Sequence, residues 1–267
     1  MNKKISVYAS AATIITALFS LVFTAVRIYL MQNAYDSVRG FYTNESLHML
    51  MRYSLIAVAI VCAVAAYIYI KEEKSSKGLP EGTLTTYAAY VGAGAFAGLL
   101  LYNFAKFLLP MLKTPSGVDI LLAVIGVVAM LYFATFIYKQ KIGDTRALLC
   151  SSVALALLFL VFGLYFNTSI SYINHSIVLT YATAIFLMLA TVAEANGLLR
   201  RPCFKRYLAF APTAVILAFT LSIPDLVYAI TNGVAPITDI FYDIVFLSLG
   251  IFHLARLITI CKAKELA

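Results

Sequence analysis

The sequence predicts an all-α fold: a polytopic transmembrane bundle of eight membrane-spanning helices with both termini in the cytoplasm. Three observations predict it. Eight separated apolar stretches each approach or exceed the ~20 residues that a span needs. Hydrophobic residues make up 63% of the 267 residues and charged residues 12%, against roughly 45–50% and ~25% in a soluble domain, and the mean hydropathy is +0.92. Lys and Arg gather at the termini and in every second connection, the asymmetry that orients membrane proteins.

The elements follow in order. Helix 1 is expected over Ile5–Leu30. The preceding MNKK gives this stretch the outline of a secretory signal, but the apolar run exceeds the 7–15 residues of a signal core and reads as an uncleaved span. Helix 2 is expected over Leu47–Ile70, after a connection, Met31–Ser46, that holds the turn signal Arg39-Gly40. Helices 3, 4 and 5 are expected over Leu84–Leu109, Val118–Tyr138 and Arg146–Phe166, with a charged, solvated loop KEEKSSKGLPEG before helix 3. Helix 6 is expected over Ile173–Ala195, after the polar, uncharged loop Asn167–Ser176. Helix 7 is expected over Arg206–Ile223, kinked at Pro212 and ended near Asp225 by Pro224. Ser222–Asp225 and Thr231-Asn232-Gly233 would then put irregular backbone at the outer mouth, which must be covered or wetted. Helix 8 is expected over Ile237–Cys261. No linker is long enough to separate domains, so residues 1–267 are expected to form one integral membrane domain.

Orientation follows from the basic residues. With the N-terminus inside, fifteen of the 20 Lys and Arg fall inside. Only Arg27, Arg39, Arg52, Lys106 and Lys113 fall outside or at the outer interface. Eight spans keep all the rich clusters on one side, whereas seven would put one of them outside. The net charge of +8 therefore reflects topology. No soluble basic face interleaved with aromatics exists, so nucleic acid is not an expected partner. Composition points to the plasma membrane of a bacterium. Tyr8, Tyr29, Tyr53, Tyr87, Tyr138 and Tyr207 flank predicted helix ends, as in an interfacial belt.

Catalytic signatures are missing. There is no GxxxxGK[ST], HExxH or GxSxG, and the chain is not expected to be an enzyme. Cys62, Cys150, Cys203 and Cys261 form no CxxC pair, and His48, His175 and His253 fall in or beside three different helices without metal spacing. No cofactor or metal is expected.

Three helices carry ordered polar or small-residue patterns. On helix 1, Ser6, Ser10, Thr13, Ala17, Ser20, Thr24 and Arg27 recur at spacings of 4 and 3, so they share a face. That face is read as a packing seam or as the wall of a water-filled path. Helix 3 carries Gly94-x-x-x-Gly98, suited to close contact inside the bundle or between protomers of an oligomer. On helix 8, Asp239, Asp243, Phe246, Gly250 and His253 repeat the 4,3 spacing. A charge at the bilayer centre costs ~2.5–3.5 kcal/mol even on the lenient insertion scale. Asp239 or Asp243 is therefore expected to pair with Arg27 or Lys106. Glu194 on helix 6 is expected to make a surface pair with Arg200 or Arg201. The candidate binding set is Asp239, Asp243, Arg27, Lys106, His253, Asn103 and Thr24, centred on the helix 7–8 mouth.

Two functional readings follow. The first is a carrier or permease for a small cationic or zwitterionic solute or ion, its path lined by helices 1, 6 and 8. The second is a non-transporting sensor or partner subunit of a larger membrane complex.

Overall fold

The computed structural model describes residues 3–36, 41–70, 79–108, 117–137, 143–165, 175–232 and 240–263. Eight helices dominate: α1 (Lys3–Asn33), α2 (Glu45–Tyr69), α3 (Thr83–Leu108), α4 (Gly117–Ile137), α5 (Asp144–Tyr165), α6 (His175–Leu198), α7 (Phe204–Asn232) and α8 (Ile240–Lys262). Between α1 and α2, β1 (Tyr35–Asp36) and β2 (Phe41–Tyr42) pair antiparallel, Tyr35 opposite Tyr42. The predicted turn Arg39-Gly40 lies outside the described residues. Asn44 caps α2 by accepting from the Leu47 amide at 3.2 Å, satisfying one of the orphan donors of a helix start.

Seven of the helices are long and apolar enough to cross a membrane, and α4 is apolar over Ala123–Phe136. Their outward faces are apolar too. Leu21, Ile68 and Leu148 are each about 71–72% exposed, a disposition that water penalises and lipid does not. The protein is an all-α membrane bundle. Ser6 Oγ reaches the Cys261 carbonyl at 3.3 Å, so the two termini meet at one end of the bundle, here called the proximal end.

Helices α3 to α8 pack in sequence and close into a ring through α3 and α8. Aromatic side chains fill it: Phe96, Tyr132, Phe133, Phe136 and Phe252 stack edge or face within 6.2 Å of a neighbour. Helix α7 also receives α1 and α2 on its outer flank, which makes it the most enclosed helix. Its residues allow this. Ala209, Ala211, Ala214 and Ala218 are all fully buried, and small side chains let helix axes approach.

Helix α7 departs from expectation. Pro224 does not end it: the helix runs on to Asn232, so Ser222–Asp225 and Thr231-Asn232 are helical. A missing amide predicts the stop, and a side chain from α1 replaces that amide, as described below. The α1 seam is partly as expected. Ser6, Ser20, Thr24 and Arg27 are buried, but Ala17 faces out and Thr16 faces in. Three of its hydroxyls bond their own helix, Ser10 to Ser6 at 2.9 Å and Thr13 to Ala9 and Thr16 to Ala12 at 2.7 Å each.

The glycines separate into two kinds. A methyl group at Gly250 would lie 2.8 Å from Ala218 Cβ, while one at Gly94 would meet nothing within 4 Å. Gly250→Ala is therefore expected to force α7 and α8 apart at a cost of ~1–3 kcal/mol. Gly94→Ala should leave stability unchanged or raised. Unfolding in detergent micelles checks both. Gly94 thus contributes no tight contact inside the bundle; the close approach on α3 is made by Gly92, against the Phe133 ring.

Candidate functional site

Two polar centres lie in the protein, one near each end. The proximal centre is inside the helical ring. Glu194 on α6 is 1% exposed, and its Oε1 accepts three hydrogen bonds. Arg256 Nη2 donates at 2.7 Å, Arg256 Nε at 3.0 Å and Tyr132 Oη at 2.7 Å. Arg256 also donates through Nη1 to the Pro80 carbonyl at 2.8 Å. Glu81, beside Pro80, pairs with Arg146 at 2.8 Å and lies 3.7 Å from Arg256. Both guanidinium groups stand over the Phe136 ring, at 3.9 and 5.0 Å from its centroid. The segment before α3 thus closes over the proximal end, held by charges from α5 and α8.

His253 completes this centre. Its Nε2 lies 3.4 Å from Thr191 Oγ1 and its Nδ1 lies 3.1 Å from Tyr207 Oη. Thr191 already gives its hydroxyl proton to the Leu187 carbonyl at 2.8 Å. The ring must then donate from Nε2, and Nδ1 accepts from Tyr207. Glu194 Oε2 accepts no hydrogen bond and faces His253 Nδ1 at 4.0 Å. A proton added at Nδ1 would face that carboxylate oxygen.

The expectation for Glu194 is corrected here. It makes no surface pair with Arg200 or Arg201 but a buried one with Arg256, 62 residues away. Proximity in sequence suggested the first pairing; the ring of helices brings α6 to α8. Tyr207 is corrected in the same way, from an interfacial residue to a fully buried donor.

The distal centre is built on Arg27 of α1, which is 1% exposed. All five of its N–H donors are engaged. Nη2 donates to Asp225 Oδ1 at 2.7 Å and to Ser176 Oγ at 3.4 Å. Nη1 donates to the carbonyls of Thr220 at 2.9 Å and Leu221 at 2.6 Å. Nε donates to Tyr42 Oη at 3.3 Å. The carbonyl bonds explain the length of α7. Pro224 offers no N–H to the Thr220 carbonyl and its ring crowds it aside. The guanidinium fills that gap, and the helix continues.

Among the described residues Arg27 thus forms its ion pair with Asp225, not with Asp243. Asp243 is 1% exposed on α8 and within electrostatic reach of Arg27. Asp239 and the Lys106 side chain lie outside the described residues, as do most of the helix 7–8 mouth and residues 166–174. In the same half of the bundle, Ser20 and Thr24 on α1, Thr220 and Ser222 on α7, and both amide atoms of Asn103 on α3 are buried without a hydrogen-bond partner among the described residues. Of the candidate set, Asp243, Asn103 and Thr24 are buried in the distal half with Arg27, while His253 belongs to the proximal centre, ~15 Å from Asp243 along α8. Spacing within α8 gave the shared face; it carried no sign of Asp225, Glu194, Arg256 or Tyr207.

Tyr35, in the hairpin above the distal centre, has its phenol pushed up to about 12 by burial and by neighbouring Tyr42, so it stays neutral. Among the described residues no group of His, Cys, Asp and Glu could hold a metal ion, and Cys62, Cys150, Cys203 and Cys261 are all free thiols. Comparison with protein-family models, with curated proteins and with solved structures finds no match.

Proposed function

We propose that the protein is a carrier for a small cationic or zwitterionic solute or ion, with its binding region in the distal half among Asp243, Asn103 and Thr24. The observation that supports this reading is the set of buried polar atoms on α1, α3 and α7 that no described protein group satisfies. Leaving a buried donor or acceptor unmet costs ~1–3 kcal/mol each, and a polar solute or water passing between the helices removes that cost. Asp243 supplies a buried anionic group on the same side. Arg27 is fully occupied by α7, Ser176 and Tyr42, so it holds the wall of the region and offers no donor to a solute. His253 and Glu194 suit a proton step at the other end of the path.

The fifteen Lys and Arg expected inside support placing the proximal end in the cytosol of a bacterial plasma membrane. The meeting of the termini there supports an even number of spans, with α4 as one of them.

The test uses proteoliposomes filled with a pH dye and challenged with gradients of alkali cations, amines and amino acids. Flux above that of protein-free vesicles is expected for at least one. Asp243→Asn should abolish it while the purified protein unfolds at the same temperature. Equal flux in the variant, or none with the native chain across the panel, would sink the carrier reading.

The alternative, a sensor or partner subunit, draws on one observation. Gly94 and Gly98 border a shallow cavity of about 280 Å³ between α3 and α8, and the Gly94 surface is open, as a face awaiting another helix would be.

A further inference from the structure

A second cavity, of about 420 Å³, lies between α2 and α6 with α7 as its floor. Ligand pockets typically span ~300–1,000 Å³. It exists because α2 packs on α7 and α1, while α6 packs on α5 and α7, which leaves a furrow between helices running in the same direction. Its walls are apolar: Met51, Leu55 and Ala59 from α2, Ala182 and Phe186 from α6, Leu217 from α7. Ile56 and Val178 border it and are 47% and 42% exposed, so the furrow is open toward the bilayer.

Besides Tyr42, three polar groups depart from this apolar lining, and they are not spread evenly. Arg52 stands exposed on the distal half of the furrow, and no described residue supplies it a hydrogen bond or counter-charge. His48 lies one turn above Arg52 and stacks on Tyr42 at 4.9 Å. On the floor Thr213 is 2% exposed, and its Oγ1 has no hydrogen-bond partner. Near the membrane surface a lone guanidinium attracts an anionic head group. An apolar slot below it takes hydrocarbon. A buried hydroxyl deeper still is met by a polar atom carried on the same molecule.

We propose that this furrow is a binding site for an anionic phospholipid of the distal leaflet. Its phosphate sits at Arg52, and an acyl chain lies along Leu55, Ala182 and Phe186. An ester carbonyl of its glycerol region meets the Thr213 hydroxyl. The occupant enters sideways from the bilayer, because the exposed border of the furrow is apolar. The site is separate from the carrier region and does not depend on that reading. Tyr42 joins the two: it accepts from Arg27 and stacks on His48.

Native mass spectrometry of the purified full chain, titrated with phosphatidylglycerol or phosphatidylcholine, tests this. One surface cation is worth about a fivefold preference for the anionic lipid. Arg52→Gln should reduce that preference to about onefold while leaving chain binding intact. Ala182→Trp fills the slot and should remove the tightest lipid adduct of both kinds, with unfolding temperature measured alongside to confirm that the variant is folded. Thr213→Val, nearly isosteric, should weaken the adduct severalfold without opening the fold. Equal binding of the two lipids by the native chain would overturn the anionic assignment. Undiminished phosphatidylglycerol binding in both Arg52→Gln and Ala182→Trp would overturn the site. A native dimer that Ala182→Trp converts to monomer would give the furrow to a second copy of the chain instead.

Discussion

Arg256→Ala is expected to destabilise the folded bundle by ~3–5 kcal/mol, the loss typical of removing one member of a buried ion pair. The reason is what remains. Glu194 would keep its charge inside the helical ring with only the Tyr132 hydroxyl to meet it. The Pro80 carbonyl and Glu81 would also lose contacts, loosening the segment that closes the proximal end. The measurement is equilibrium unfolding in mixed detergent micelles, read by far-ultraviolet circular dichroism. A companion variant separates charge from packing. Replacing both partners, Arg256→Met with Glu194→Met, should recover most of the loss, since two apolar groups of similar volume strand no charge. A single substitution that unfolds like the native chain would show that the pair carries no such energy. Additivity of the two single losses in the double variant would show that the residues do not act as a pair.

Arg27→Met is expected to cost a similar ~3–5 kcal/mol, and a large part of that cost should depend on a proline 197 positions away in the chain. Losing the guanidinium strands Asp225 and uncovers the carbonyls of Thr220 and Leu221. Restoring an amide by Pro224→Ala gives the Thr220 carbonyl its ordinary helical partner. In that background Arg27→Met should cost ~1–3 kcal/mol less, the value of one buried acceptor that no longer goes unmet. A double-mutant cycle measures the difference directly. Equal cost in both backgrounds would mean that the arginine acts through Asp225 alone.

These two residues also mark what was legible in the sequence. The eight helices were, because apolar runs of span length separated by charge clusters are a local signal. So was the buried face of α8: Asp243, Phe246, Gly250 and His253 repeat at 4 and 3 and are all buried. Spacing says which residues share a face and nothing about which helix that face meets. Glu194 was assigned neighbours in sequence, and its partner is on α8. Pro224 read as a stop because a proline removes a local bond, and the group that replaces the bond comes from α1. Tyr207 read as part of an interfacial belt because its position near a helix end is local, while its bond to His253 is not. Among the described residues, each miss is a contact spanning tens to hundreds of positions.

The Arg27–Asp225 bond spans 198 residues, and that separation sets an order of events during synthesis. Helix α1 emerges first, carrying an arginine that hydrocarbon does not tolerate well, and its acceptors on α7 do not yet exist. At a translation rate of ~5–20 residues per second, the wait is about 10–40 s. Over that interval the first helix needs a temporary polar shelter, in the insertion machinery or at the lipid–water boundary. It takes its final depth only when the seventh helix arrives beside it. The chain therefore seats its outer flank late, although it makes that flank before the helix that receives it.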